Sequence, residues 1–279
     1  MIHIDTNWAS ADGLALVGRC WETEDEPRAV VCLVHGLGEH CGRYAHVAAA
    51  LNDAGYAVLA CDQRGHGRSG GKRGHTPSYA ALMGDIDLLL AQAAQRFPGK
   101  PRFLYGHSLG GNEVLNYALR RRPALAGVVS TSPGLRTAYQ PPALQLAAGR
   151  LMNRIWPAFT MPNGLELAAI SRDPDVVAAY QADPLVHDRL SARLGMSLLE
   201  SGEWAIAHAA EFPLPLLLMH GTADRLTSAP ASQEFAALAP DCTLKLWDGL
   251  YHETHNEPEK GEVIGFVVDW LQRHRGELN

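Results

Sequence analysis

Five consecutive residues, Gly106-His107-Ser108-Leu109-Gly110, constrain the fold of this chain more than any other feature of its sequence. They follow the apolar run 102–105 and precede the amphipathic run 112–119. This order predicts a strand, a sharp turn and a helix, with Ser108 at the turn. Flanking glycines leave room for a strained serine backbone, and the helix start directs amides at the same point. The pattern therefore predicts that Ser108 is a nucleophile at the edge of a sheet.

A serine nucleophile needs a base, and the base needs an acid that orients it. Asp224 comes just after the apolar run 214–221, and His252 follows the run 243–247. Both runs are predicted to be buried strands, and the carboxyl ends of parallel strands meet at one sheet edge. The sequence therefore predicts a triad in which Ser108 attacks, His252 accepts the proton and Asp224 orients the histidine.

An acyl-transfer site also needs two backbone amides that hold the developing oxyanion. The amide of Leu109, directly after the nucleophile, is the first candidate. The second comes from the loop 35–40, which follows the predicted strand 29–34. Leu37 lies between two glycines of that loop and is the predicted donor. His35 is interpreted as a brace of the loop.

Strands and helices alternate along most of the chain, which predicts an α/β fold with a mostly parallel sheet and helices on both faces. An N-terminal hairpin is predicted to turn at Asp12-Gly13. The alternation stops at Ser132-Pro133-Gly134 and resumes near residue 214. We therefore predict a core formed by residues 1–132 and 208–279, interrupted by a helical cap or lid at 133–207.

The chain resembles the monoacylglycerol lipase and lysophospholipase branch of the α/β-hydrolases. The resemblance depends on the segments His35–Tyr44, Asp62–Gly70, Gly106–Gly111, Ala179–Leu185 and Ala223–Arg225. It implies the α/β-hydrolase fold, the triad Ser108, Asp224 and His252, and the oxyanion donors Leu37 and Leu109.

The resemblance also places His255 near Glu39 and Arg43 of the oxyanion loop. A cluster of these three side chains would support the loop from behind. The alternative is that all three are solvated surface side chains.

Apolar residues recur at helical spacing in the cap at positions 144, 147, 148, 151, 152, 155 and 159. One interpretation is that this face packs on the core. The other is that it lines an acyl tunnel or meets a membrane or micelle surface. We expect Leu144, Leu151 and Ile155 to belong to the acyl pocket.

Composition and motifs argue against several other classes of protein. The net charge is −6 and no basic block occurs, which argues against a nucleic-acid partner. The motif Gly65–Gly70 is not followed by a helix start, and the run 252–256 lacks the second histidine of a zinc helix. No cofactor and no metal are therefore expected. The N-terminus has no signal pattern, which predicts a cytoplasmic protein that is at most peripheral at a membrane surface.

The predicted activity is that of a serine hydrolase of carboxylic esters. The expected reaction converts a monoacylglycerol to glycerol and a fatty acid through an acyl-enzyme. A lysophospholipase, a short-chain carboxylesterase and a cofactor-free perhydrolase remain alternatives, and a non-catalytic binding protein of the same fold is a fourth. The oligomeric state is left open.

Overall fold

The computed structural model describes residues 3–275, which are built around an eight-stranded sheet. The strands are β1 (His3–Ala9), β2 (Ala15–Trp21), β3 (Ala29–Val34), β4 (Tyr56–Cys61), β5 (Arg102–His107), β6 (Gly127–Thr131), β9 (Leu216–Gly221) and β10 (Cys242–Trp247). Their spatial order is β1-β2-β4-β3-β5-β6-β9-β10. Only the first two pairings are antiparallel, and the other five are parallel. The outermost residues of the two predicted core segments, 1–2 and 276–279, lie outside the described range.

Helices cover both faces of the sheet, as the sequence predicts. They are α1 (Ala45–Asp53), α2 (Tyr79–Arg96), α3 (Leu109–Arg121), α4 (Ala143–Ile155), α5 (Pro174–Ala182), α6 (Ala192–Ala207), α7 (Ala229–Leu238) and α8 (Lys260–His274). One apolar core lies between the sheet and α2, α3 and α7, and the other lies between the sheet and α1 and α8. Every residue of β3 and β4 is buried because both faces of these central strands are covered.

Serine residues begin three of these helices. The hydroxyls of Ser78, Ser191 and Ser228 each accept a hydrogen bond from the amide three residues further along. Each bond satisfies one of the amides that have no partner inside the first helical turn. Local sequence therefore sets where α2, α6 and α7 begin.

The segment between β6 and β9 contains α4, α5 and α6, together with two strands that the sequence analysis does not anticipate. These are β7 (Thr160–Pro162) and β8 (Arg189–Ser191), which pair antiparallel. The segment is joined to the core by polar contacts between α3 and α6. Asn116 donates to the carbonyl oxygen of Ser201 at 3.1 Å, and the Ser201 hydroxyl donates to Asn112 at 2.8 Å. We call residues 133–207 the cap segment.

The outer side of α4 is exposed, and the helix has no buried residue. The exposed fractions of Leu144, Leu151 and Ile155 are 82%, 59% and 71%. The prediction that these three line an acyl pocket is wrong. Leu144, Leu151 and Ile155 lie on one side of α4. The side that faces α6 carries Leu146, Gly149 and Met152.

Within residues 3–275, no helix is both long enough and apolar enough to cross a bilayer.

Candidate active site

Ser108 lies at the turn between β5 and α3 with a backbone φ of +56° and ψ of −114°. Such a conformation is strained for a residue with a side chain. The two glycines of the motif permit the close approach that the turn requires. A Cβ atom at Gly106 would lie 2.2 Å from the carbonyl oxygen of Gly110, and one at Gly110 would lie 2.2 Å from that of Val34. The turn holds the hydroxyl above the carboxyl ends of the parallel strands.

The structure brings the three predicted triad residues into one hydrogen-bonded chain. The Oγ atom of Ser108 lies 2.9 Å from Nε2 of His252. On the other side of the ring, Nδ1 of His252 lies 2.7 Å from Oδ2 of Asp224. These contacts leave Nε2 able to accept the serine proton while Nδ1 donates to the carboxylate.

Asp224 is buried, and hydrogen-bond donors surround its carboxylate. Oδ1 accepts from the amides of Leu226 at 2.7 Å and Thr227 at 3.1 Å. Oδ2 accepts from the Thr227 hydroxyl at 2.8 Å and from Nε2 of His220 at 3.0 Å, besides His252. Burial by itself would raise the pKa of Asp224, but His252 and these hydrogen bonds outweigh it and hold the pKa below the ordinary value. The carboxylate is therefore ionised at neutral pH.

His252 is 5% exposed and has other ionisable groups around it. Burial acts to lower its pKa, but the charge of Asp224 and the hydrogen bond to it prevail, so the pKa is raised above the ordinary value of 6.5. The ring of His107 lies 4.8 Å from that of His252. Burial and the nearby His252 lower the pKa of His107 to about 3, so its ring is neutral.

Two backbone amides are available beside the serine. Leu37 and Leu109 both line the cavity above Ser108. Among the described residues, neither amide donates a hydrogen bond to another protein group. The loop that carries Leu37 is braced by His35, which donates to the Gly36 carbonyl and accepts from the amide of Gln63, both at 2.8 Å. These amides can receive an oxyanion without breaking an existing hydrogen bond.

A buried ion-pair cluster supports the same loop. Glu39 accepts hydrogen bonds from the Gly36 amide at 2.6 Å, from the Tyr44 hydroxyl at 2.7 Å and from Arg43 at 2.5 Å. Burial would raise the pKa of Glu39, but the charge of Arg43 outweighs it and lowers the pKa to about 2. Arg43 also binds both carboxylate oxygens of Glu253 at 2.7 Å. Glu253 follows His252 directly, so the cluster joins the oxyanion loop to the loop of the base.

His255 packs beside this cluster, against the Tyr44 ring that donates to Glu39, but it makes no hydrogen bond to the cluster. His255 is buried, and neither of its ring nitrogens has a hydrogen-bond partner among the described residues. Its ring stacks on Tyr44 at 4.9 Å between ring centroids and meets the edge of His107 at 4.8 Å. Glu253, whose carboxylate can pair with a guanidinium, takes the position that we expected for His255.

The serine opens into a mostly apolar cavity of about 140 Å³, with the core below and the cap segment above. A second cavity of about 390 Å³ lies between α4, α6 and the short β7–β8 sheet. The two share a wall formed by Leu190, Leu198 and Leu199. The second cavity is almost entirely apolar, and Gly149 and Gly195 on facing helices leave space inside it.

Sequence reasoning missed His220, Thr227, Glu253 and Tyr180 as members of the site. Tyr180 lies on α5, lines the first cavity and holds its ring 4.7 Å from the guanidinium of Arg43. His220 and Thr227 lie four residues before and three residues after Asp224. Their nearness in the chain to a candidate acid was the only signal that could have indicated them.

Comparison with known proteins gives a consistent result. The family model described as serine aminopeptidase S33 matches residues 25–259. A monoacylglycerol lipase of Mycolicibacterium smegmatis is 38% identical, and the match covers 96% of each chain. The crystal structure of a Paleococcus ferrophilus monoacylglycerol lipase superimposes with a TM-score of 0.85 at 41% identity, covering 93% of this chain and 99% of that one.

A larger relative contains the same domain. An abhydrolase domain-containing protein of Dictyostelium discoideum is 39% identical over 96% of this chain. The chain spans only 29% of the length of that protein.

Proposed function

Because this chain belongs to the monoacylglycerol lipase branch of the α/β-hydrolases, within the serine aminopeptidase S33 family, we propose that it hydrolyses monoacylglycerols to glycerol and a fatty acid. The observation that carries the proposal is the hydrogen-bonded chain Ser108–His252–Asp224, which opens into an apolar cavity beside two unengaged amides. Such a site can split an ester whose acyl part is apolar.

Acylation begins when Oγ of Ser108 attacks the ester carbonyl carbon and its proton passes to Nε2 of His252. The carbonyl oxygen becomes an oxyanion that accepts hydrogen bonds from the amides of Leu37 and Leu109. The ester C–O bond then breaks, and His252 returns the proton to the departing glycerol oxygen. Asp224 holds the imidazole in the required tautomer and stabilises the imidazolium.

Deacylation repeats these steps with water as the nucleophile. His252 takes a proton from a water molecule, whose oxygen attacks the acyl carbon. The same two amides hold the second oxyanion. When it collapses, the bond to Ser108 breaks, the serine recovers its proton from His252, and the fatty acid leaves.

The cavities indicate where the two parts of the substrate lie. The acyl chain extends past the wall of Leu190 and Leu198 into the second, apolar cavity. The glycerol lies on the other side of the serine, where Asn163 and Tyr180 line both the first cavity and a neighbouring polar cleft. A substrate with one acyl chain and a small polar head fits this division.

A substrate panel tests this assignment. Monoacylglycerols should be cleaved at least about tenfold faster than triacylglycerols, because one apolar cavity and one cleft with polar side chains fit a single acyl chain and a small head. Lysophospholipids and p-nitrophenyl esters of graded length complete the panel. Equal rates on triacylglycerols would contradict the proposal, and faster cleavage of lysophospholipids would reassign the substrate.

The second cavity should determine chain-length preference. Gly195→Leu is expected to lower activity on long-chain esters about tenfold relative to butyrate esters, because its side chain fills the space. The atoms nearest to a Cβ atom at this position belong to the Leu190 side chain, at 3.4 Å or more, which is ordinary van der Waals contact, so the helix tolerates the change. Gly265→Leu is the matched control, since it makes the same substitution in α8, where a Cβ atom meets nothing within 4 Å. Equal loss on short and long esters would show that the acyl chain lies elsewhere.

We propose further that the exposed side of α4 contacts a membrane or micelle surface. Leu144, Leu151 and Ile155 continue into the exposed side chains of Trp156 and Met161. Residues 134–164 contain no acidic residue and three arginines, although the chain has a net charge of −6. Arg136 is paired with Glu203 and Glu234, whereas Arg150 and Arg154 lie on α4 itself. An apolar surface with cationic neighbours favours an anionic lipid interface.

The double variant Leu151→Ser with Ile155→Ser tests this contact. We expect it to bind phosphatidylglycerol vesicles at least about fivefold more weakly, because apolar area available for burial is lost. Hydrolysis of a water-soluble butyrate ester should be unchanged, since neither residue lines the cavities. Unchanged vesicle binding would contradict a role of α4 at the interface.

A further inference from the structure

A second histidine, which lies outside the cavity above Ser108, hydrogen-bonds to the carboxylate of Asp224. His220 lies in β9, is fully buried and does not line the cavity above Ser108. Its Nε2 atom lies 3.0 Å from Oδ2 of Asp224, and its Nδ1 atom lies 2.8 Å from the hydroxyl of Ser232 on α7. The hydrolytic steps described above do not use this residue.

These contacts determine the tautomer of His220. An ionised carboxylate only accepts hydrogen bonds, so Nε2 of His220 must carry the proton that it donates to Asp224. Nδ1 accepts from the hydroxyl of Ser232 when the ring is neutral. Because Ser232 is fully buried in the first turns of α7, its hydroxyl keeps this ring orientation.

Three donors therefore converge on a single oxygen atom. Oδ2 of Asp224 receives hydrogen bonds from His252 at 2.7 Å, Thr227 at 2.8 Å and His220 at 3.0 Å. Every donor besides His252 withdraws electron density from the oxygen that faces the catalytic imidazole. It also limits rotation of the carboxylate, which must stay in line with Nδ1 of His252.

We propose that His220 is a positioning residue: by donating a hydrogen bond from Nε2, it orients the Asp224 carboxylate and limits the basicity of His252. The inference rests on the proposed function, since it assigns His220 a part in the same serine hydrolysis.

The other ionisable groups around His252 are constant in the test. Asp224, Glu253 and Glu39 act on it with negative charge, and the ring of His107 lies beside it. None of these four is changed by a substitution at His220. A change in the titration of His252 therefore reports on the hydrogen bond between His220 and Asp224.

Two variants separate the two sides of the His220 ring. In His220→Gln, the amide nitrogen takes the place of Nε2, so the donor to Asp224 is kept and the acceptor for Ser232 is lost. In His220→Asn, the amide oxygen takes the place of Nδ1, so the contact with Ser232 is kept and the donor to Asp224 is lost. Both variants carry the same uncharged amide group, and their side chains differ by one methylene group.

The pH dependence of labelling by a fluorophosphonate probe provides the measurement. In this reaction a bond forms between Oγ of Ser108 and phosphorus, fluoride leaves, and the serine proton passes to His252. Labelling falls on the acid side as His252 becomes protonated, and in the unsubstituted protein this fall should be centred above pH 6.5. Ester hydrolysis and thermal melting are measured on the same samples.

We expect His220→Asn to reduce the labelling rate and kcat about tenfold to a hundredfold, the effect of one hydrogen bond to a charged group, with little change in KM. The fall in labelling on the acid side, here called the acid limb, should move to higher pH. The reason is that Asp224 with one donor fewer stabilises the imidazolium of His252 more strongly. His220→Gln should stay close to the unsubstituted protein in both rate and acid limb.

Three results would overturn the proposal. They are equal losses in the two variants, an acid limb in His220→Asn that does not move, and failure of both variants to fold. The last would give His220 a structural role only. Failure of the proposed function has a different signature: the unsubstituted protein would take up the probe but would not cleave monoacylglycerols.

Discussion

Ser108→Ala is expected to abolish covalent labelling by a fluorophosphonate and to reduce ester hydrolysis by about 10⁶-fold, as removal of a serine nucleophile does in other triads. The loss is this large because the oxyanion amides and His252 have no attacking atom to assist. The fold should persist, since within residues 3–275 the Ser108 side chain makes a single hydrogen bond, to His252.

Ser197→Ala provides a matched control, because Ser197 lies on α6 and lines none of the cavities around the site. This control should be labelled and should cleave esters like the unsubstituted protein. Equal labelling of Ser108→Ala and Ser197→Ala would remove Ser108 from the mechanism.

His252→Ala should lower kcat by a factor on the order of 10³ or more, because Ser108 then has no base. His255 is the natural comparison, since it belongs to the same loop and is also buried. His255→Phe should keep kcat within about tenfold, because a phenyl ring preserves the stacking on Tyr44 and no hydrogen bond is lost.

The kinetic comparison requires melting temperatures for both variants, so that a loss of fold is not taken for a loss of chemistry. A larger effect from His255→Phe than from His252→Ala, in two folded proteins, would move the catalytic base to His255. The geometry argues against this outcome, since His252 hydrogen-bonds to both Ser108 and Asp224, whereas the ring nitrogens of His255 have no partner among the described residues.

The architecture of this chain could be predicted because its strands, turns and helices depend on patterns between residues close in sequence. The buried run 29–34 is a strand at its predicted bounds, and a helix, Leu109–Arg121, follows the serine turn as predicted. Glycine spacing around Ser108 predicted the turn that the backbone adopts. These signals act between residues close in sequence, and the α/β fold with a mostly parallel sheet that they predict is confirmed. The α/β-hydrolase fold, which the family resemblance implies, is confirmed by the related structures.

The cap segment was harder to predict from local patterns. An amphipathic stripe shows that a helix has an apolar side, but not what covers that side. Leu144, Leu151 and Ile155 face solvent because a different side of α4 packs toward α6. The strands β7 and β8 have only three residues each, too few for a period-of-two pattern to appear.

The sequence by itself determined the order of elements, the strained serine turn, and the three residues whose side chains meet at the sheet edge. Only the tertiary structure decided which groups surround them. His220 and Thr227 converge on one oxygen of Asp224, and Glu253 rather than His255 pairs with Arg43. The physical reason is that hydrogen bonds form between atoms about 3 Å apart in space, and sequence spacing specifies distance only within one turn or one strand.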